Sequence, residues 1–446
     1  MAAGTFTAQN KVRPGVYINF KSEPQAAGTL GERGIVSMPL ILSWGEPGKM
    51  ITIEAGDDVF PKLGYSIMDA QLRLINEALK RAKTLLLYRL NAGTKAAVTV
   101  GNLTVTAKWG GARGNDITLV IQENIDDETK FDVSTLVDGA ELDKQTVSDI
   151  AGLAANDWVI FSGTGALTET AGAPLINGSD GAVTNQAYID YLAAVEIFDF
   201  NTIALPSTDD ALKATFTAFA KRLRDDEGKK IQVVLENYPA ADYEGVISVK
   251  NGVVLADGTI LTAAQATAWV AGATAGARVN ESLTYQGYDE AVDVAPRYTN
   301  AQIIAALQAG EFLFTASDNQ ALVEQDINTL TSFTADKGKQ FAKNRVIRVL
   351  DGINNDFVRI FSKFYIGKVS NNADGRNLLK SECINYMNTL QDIDAIKNFD
   401  GQTDLTVQSG NDVDAVYIEA YAWPVDSIEK IYVRVRIKLE HHHHHH

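Results

Sequence analysis

A change of hydrophobic period in the middle of the chain limits the folds open to it. Before Asn91-Ala92-Gly93 the residues keep a helix-and-strand rhythm. Residues 34–42 read as a buried strand that ends in the turn Trp44-Gly45-Glu46-Pro47-Gly48. Ser66 stands as the N-cap of a helix, with Asp69 three residues on as a weak capping box. Its apolar face is Ile67, Ala70, Leu74, Ile75, Ala78 and Ala82. Residues 85–90 follow as a strand. From residue 97 to about 182 the texture is different: short alternating runs at 98–107, 117–122, 131–136 and 158–161, broken by Gly, Asn and Asp. Helical spacing returns there only at 146–154. One layer cannot satisfy both periods, so a small β-rich domain inserted into an α/β body is expected.

The first rhythm resumes at Asn185. Tyr188, Leu192, Val195 and Phe198 mark a helix, 202–205 a strand, 209–224 a helix and 231–235 a strand. A helix rich in Ala and Gly spans 262–275, where small residues permit close approach of a neighbour. Beyond Pro296 the pattern predicts a helix at 300–308, a hairpin of 312–315 with 321–326, and a long helix at 340–361. The helix 376–390 carries Leu379, Cys383, Tyr386, Met387 and Leu390 at core spacing. Residues 413–423 read as a strand closed by Pro424. The fold class expected is α+β multidomain: an arm and linker at 1–33, a body of 34–95 and 183–335, an insertion at 96–182, and a C-terminal α+β domain at 336–438.

Leu439 to His446 read as a purification tag, and it contains all six histidines of the 446 residues. Without His, a Ser-His-Asp triad, a Cys-His dyad and a His general base are excluded. A lone cysteine, Cys383, excludes an intrachain disulfide and a His/Cys zinc site. Its place on an apolar helix face reads as an inert buried thiol. The net charge of −16 disfavours a nucleic-acid partner held through phosphates. No basic segment followed by an apolar one opens the chain, so no signal peptide is expected, and no apolar run is long enough for membrane insertion.

Candidate nucleotide loops fail on chemistry. Gly45-Glu46-Pro47-Gly48-Lys49-Met50 lacks the spacing and hydroxyl of a phosphate loop. Gly163-Thr164-Gly165 has Thr168 where a dinucleotide fingerprint needs its third glycine. Asp392 and Asp394 begin like a calcium loop, but Ile396 takes the next ligand position. No cofactor is expected. A carboxylate-only glycan hydrolase, or a carbohydrate-binding surface protein, is the alternative from another class.

Two features remain. One is a basic cluster in an acidic chain, Lys337, Lys339, Lys343, Arg345 and Arg348, which reads either as a solvated helix entry or as a docking face for an acidic protein. The other is the pair of chain ends. Val16, Ile18 and Phe20 alternate around Tyr17 after Arg13-Pro14-Gly15, and Ile431, Val433, Val435 and Ile437 alternate with Tyr432, Arg434 and Arg436. Each end is joined by a polar or flexible link, at 21–34 and 426–430. Such strands pair within their own subunit or add to a neighbour's sheet edge, where main-chain hydrogen bonds supply affinity.

Several stretches together resemble the tail sheath family of contractile phage tails and related bacteriocin particles. They are Arg13-Pro14-Gly15-Val16-Tyr17, the run Trp269-Val270-Ala271-Gly272-Ala273-Thr274-Ala275-Gly276-Ala277 followed by Asn280, Ser282 and Thr284, then Asp326-Ile327-Asn328-Thr329-Leu330 and Lys343-Asn344-Arg345-Val346-Ile347-Arg348, and the block 413–437. The resemblance covers nearly the whole chain and is thinnest over 97–182. It implies a structural subunit and no enzyme: a self-polymer around a tail tube protein, bounded by baseplate and tail terminator proteins. It implies contraction that drives the tube through a target envelope, in a virion or phage-like particle assembled in the bacterial cytoplasm. It also implies that both termini complete the C-terminal domain. Inter-subunit exchange then falls to Val16, Tyr17, Ile18, Phe20, Ile431, Val433, Val435 and Ile437, and tube contact to the basic cluster.

Overall fold

A computed structural model describes residues 2–6, 8–18 and 33–438. Its body is a six-stranded sheet in the order Val246–Val249, Gln232–Glu236, Thr202–Ala204, Ile35–Leu40, Thr84–Arg89, Met50–Glu54. All neighbours are parallel except the last pair, whose edge strand runs antiparallel. Period-two alternation then explains the continuous apolar runs, because both faces are covered. Leu85 and Leu87 point to a core shared with the helices Arg73–Leu79 and Ala263–Gly276. Leu86 and Tyr88 point to the opposite core, under the helices Asn185–Val195 and Asp210–Lys221.

The Ala/Gly-rich helix is started by a full capping box, Thr262 with Gln265. Its small residues have the expected use. A Cβ on Gly272 would lie 2.1 Å from the Ala78 carbonyl oxygen, and one on Gly276 1.9 Å from that of Arg81. The helix backbone therefore rests directly against the end of Arg73–Leu79.

The stretch between Asn91 and Ala182 folds as two antiparallel sheets packed face to face. Three strands run in the order Val159–Ser162, Leu103–Ala107, Ala97–Val100, and four in the order Ala140–Val147, Phe131–Val137, Ile117–Glu123, Thr170–Pro174. Their inward residues, among them Leu103, Val105, Ile117, Leu119, Ile121 and Val133, form a separate core. Trp158 of this unit stacks on Trp44 of the body, centroids 4.9 Å apart.

The last region holds two long helices, Asn344–Phe364 and Ala373–Asp392, and a hairpin of Leu405–Ser409 with Val416–Ala420. Val346, Val349, Ile353, Phe357, Cys383, Met387 and Leu390 make its core.

Two expectations are corrected. Asp69, not Ser66, is the cap, accepting from the Gln71 N–H, and the helix is a short 3₁₀ turn leading into Arg73–Leu79. Residues 146–154 are no helix: they finish the strand Ala140–Val147 and turn once at Ile150–Gly152, because hairpin pairing with Phe131–Val137 wins over local spacing. Residues 431–437 form no strand with any described segment.

Candidate functional site at the chain ends and the long helix

The N-terminal end is seated on its own subunit. Gly15–Tyr17 pairs in parallel with Ala2–Gly4, and the Ile18 N–H donates to the Gly4 carbonyl at 2.8 Å. Val16, 9% exposed, and Ile18 pack on the core of the last region. Tyr17 turns away and its hydroxyl donates to the Arg13 carbonyl. Phe20, the remaining residue assigned to exchange here, lies outside the described residues.

The C-terminal end behaves oppositely. Its root is held: the Val425 N–H donates to the Ala395 carbonyl, and Lys397 sits 4.2 Å from the Trp423 ring centroid. Glu429 accepts from Lys343 Nζ at 2.8 Å, Gln325 Nε2 at 2.8 Å and Thr284 Oγ1 at 3.1 Å. Burial pushes the Glu429 carboxyl up, but these donors outweigh it and hold the group below its ordinary value. Past Lys430 no described residue covers the chain. Ile431, Val433, Val435 and Ile437 are 78%, 77%, 86% and 90% exposed. A soluble chain seldom leaves a row of branched side chains in water without a partner for them.

The basic cluster does not form one face. Arg348 is 1% exposed and donates both terminal nitrogens to Asp326 Oδ2 at 3.1 Å, so its assignment to tube contact is corrected. An arginine at this position of Asn344–Phe364 faces the body, where its guanidinium needs a carboxylate. Lys343 precedes the helix and ties down the tail root through Glu429 and Asp426. Lys337 bonds to Glu244. Arg345 is half-buried, and burial lowers its pKa. Lys339 stands exposed.

What Asp326 and Arg348 do instead is join two regions. Asp326 also accepts from the Leu283 N–H and from Asn344 Nδ2, while Asn344 Oδ1 accepts from Gln232 and Asn328. The sequence stretches 326–330 and 343–348 are thus two sides of one buried polar network. A second joint went unread in the sequence. Arg224 donates to both oxygens of Asp351 at 2.8 and 2.9 Å, 127 residues away along the chain. Its only local sign was the charged run Arg222 to Glu227, where the helix widens into a π turn over Arg222–Asp226.

The carboxyls that shift are all held below their ordinary values. The carboxyls of Asp127, Asp132, Asp257 and Asp293 are lowered first by hydrogen-bond donors. In Asp242 and Glu244 burial pushes up and is outweighed by donors and, for Glu244, by Arg224 and Lys337. A glycosidic general acid needs the opposite direction. Among the described residues, no group of three or more His, Cys, Asp or Glu is placed to hold a metal ion. Among them, too, no helix is long and apolar enough to cross a membrane.

Four family models tile the chain: the tail sheath protein Gp18 domain III N-terminal region at 33–90, the phage tail sheath protein beta-sandwich domain at 91–180, the phage tail sheath protein central domain at 181–329 and the phage tail sheath C-terminal domain at 336–438. The chain is 44% identical over 466 residues to the phage-like element PBSX protein XkdK of Bacillus subtilis, covering 98% of this chain and 100% of that one. A crystal structure of a sheath tail protein from Desulfitobacterium hafniense matches with a TM-score of 0.87 and 98% identity, covering 95% of this chain and 100% of that one. One from Listeria innocua matches with a TM-score of 0.78 and 43% identity, covering 93% and 97%. The fold alone is shared with the helical sheath of the anti-feeding prophage in its contracted state, at a TM-score of 0.56 and 13% identity over 96% of this chain and 100% of that one. The chain therefore belongs to the phage tail sheath family, the structural proteins of contractile tails.

Proposed function

We propose that this chain polymerises around a tail tube and that its polymer contracts, driving the tube through a target cell envelope. The observation that carries this reading is the anchored but exposed tail, an alternating apolar sequence with no strand partner among the described residues. The partner surface is the C-terminal region of a second copy. There the hairpin Leu405–Ser409 with Val416–Ala420 is two-stranded among the described residues, so each strand keeps one edge outside that sheet. Val16, Tyr17 and Ile18 serve the same joint from the N-terminal side.

The energetics fit a joint that holds while subunits move. Burying Ile431, Val433, Val435 and Ile437 yields about 6–12 kcal/mol. Ordering residues 431–437 costs about 7–14 kcal/mol of backbone entropy. One exchanged strand is near balance, and the added main-chain hydrogen bonds and many repeats of the joint tip it toward assembly. No cofactor enters, because the free energy of contraction resides in the packing of the polymer. Tube protein, baseplate and tail terminator are the further partners, in a phage-like particle assembled inside the bacterial cell. For tube contact the reading retains Lys339, with Lys337 and Arg345 beside it.

The test is a chain ending at Lys430, compared with the untagged full chain by negative-stain microscopy at high concentration. The full chain builds hollow cylinders, and the shortened one folds with the same circular dichroism but stays monomeric. Cylinders from both would sink the tail's role. The alternative, a glycan hydrolase or carbohydrate-binding protein, requires glycan turnover or binding by a chain that never polymerises.

A further inference from the structure

Residues 2–6, 8 and 9 lie beside the hairpin that this exchange would use. Thr5 donates from its N–H and its hydroxyl to the Asp225 carbonyl, at 3.3 and 2.5 Å. Phe6 meets the ring of Tyr417 edge to face, centroids 6.2 Å apart. The Asn411 N–H donates to Gln9 Oε1 at 2.7 Å. Ala2–Gly4 takes one edge of Gly15–Tyr17. One short segment thus covers a strand edge and reaches the outer strand and turn of the C-terminal hairpin.

The segment fits the shape of this place and not its charge. Asp226, Asp412, Asp414 and Glu419 stand exposed on the segments it touches, and outnumber the exposed Lys11 and Arg13 that follow it in the chain. Residues 2–9, Ala-Ala-Gly-Thr-Phe-Thr-Ala-Gln, carry no charge. The uncovered tail carries Arg434, Arg436 and Lys438 beside its apolar row. An acidic rim around a neutral occupant favours exchange for a basic one, by attraction that steers encounter as well as holding the product.

We propose that residues 2–9 are a self-clasp, holding in the unassembled subunit the place that the basic tail of a second copy takes, so that assembly requires their release. The proposal rests on the strand-exchange reading above and adds to it a built-in threshold against premature polymerisation. The clasp is weak by construction, with a three-residue strand pair and few anchoring side chains. It has one handle. Gly4 has φ +145, and a Cβ there would lie 2.4 Å from the Asp226 carbonyl oxygen, so any side chain pries the clasp off without shortening the chain.

The experiment uses the chain ending at Lys430 and a fluorescent peptide of residues 427–438. Binding is read by anisotropy for three forms: intact clasp, Gly4→Val, and residues 2–9 deleted. Both altered forms are expected to bind at least fivefold tighter, with the binding weakened by salt as a charged joint requires. If the deletion does not fold, Gly4→Val carries the comparison alone. Equal or weaker affinity in the altered forms overturns the clasp and leaves strand exchange standing. No binding to any form overturns both.

Discussion

Lys343 Nζ lies 2.8 Å from Glu429 Oε1, and this one contact marks where the folded chain stops and its free tail begins. Up to Glu429 the C-terminal segment is hydrogen-bonded to the last region and the body. Beyond Lys430 its apolar side chains stand in water.

The contact sets a pH window for the tail root. Glu429 titrates below its ordinary 4.5, so its contribution is present above that value and is lost as pH falls through the lower folded value. In Lys343 burial pulls the pKa down but Glu429 and Asp426 outweigh it, leaving it above its ordinary 10.5. That contribution is present below 10.5 and is lost as pH rises beyond the folded value. Between the two limits Lys343→Ala should cost about 1.5–2 kcal/mol, the lower part of the range for a charged hydrogen bond. Limited proteolysis checks it: new cuts within residues 424–430 should appear in the variant at neutral pH, and in the parent chain only outside the two pH limits.

Arg348 and Asp326 are each 1% exposed, so removing either leaves a buried charge without its partner. Arg348→Ala and Asp326→Ala should each destabilise by about 3–5 kcal/mol. The double variant should lose less than the sum, by about 0.5–3 kcal/mol. Urea unfolding of the four proteins gives the coupling directly, and strict additivity would show that the two side chains act separately.

Two helical glycines should respond with opposite sign. Gly272→Ala drives a methyl into the Ala78 carbonyl and should cost about 1–3 kcal/mol. Gly352→Ala meets only Val279 Cγ2 at 3.4 Å and should stabilise by about 0.5–1 kcal/mol from lower chain entropy. Thermal melts of the two variants should shift in opposite directions.

Cys383 is fully buried, and burial first, then the nearby Glu382 charge, push its thiol up to about 12. The thiolate is the reactive form, so native protein should resist a thiol reagent at neutral pH and react promptly in denaturant. Fast labelling of the native chain would place the helix Ala373–Asp392 differently.

Much of the architecture was legible because it is written in local chemistry. The helix Asn300–Gln308 has the bounds its spacing predicts, capped by Thr299 with Gln302. The β-rich texture after Asn91 marks the two-sheet unit, because strand period and turn residues are short-range properties. The sheet Gly252–Leu255, Ile260–Leu261 and Ala291–Ala295 went unread, since its strands are short and one is only Ile260–Leu261.

The site was legible only in part. Alternation marks Val16 and Ile431 alike as strand residues, and nothing local says that the first is buried on its own subunit while the second is bare. Lys339 and Arg348 both read as surface cations, yet Asp326 draws one into the core across 22 residues of chain. By itself, then, the sequence determined periods, caps, turns and the absence of catalytic histidine chemistry, since these depend on neighbours in the chain. The tertiary structure alone decided which charges are spent inside, which end is seated and which is left open, because burial and charge pairing depend on groups that only folding brings together.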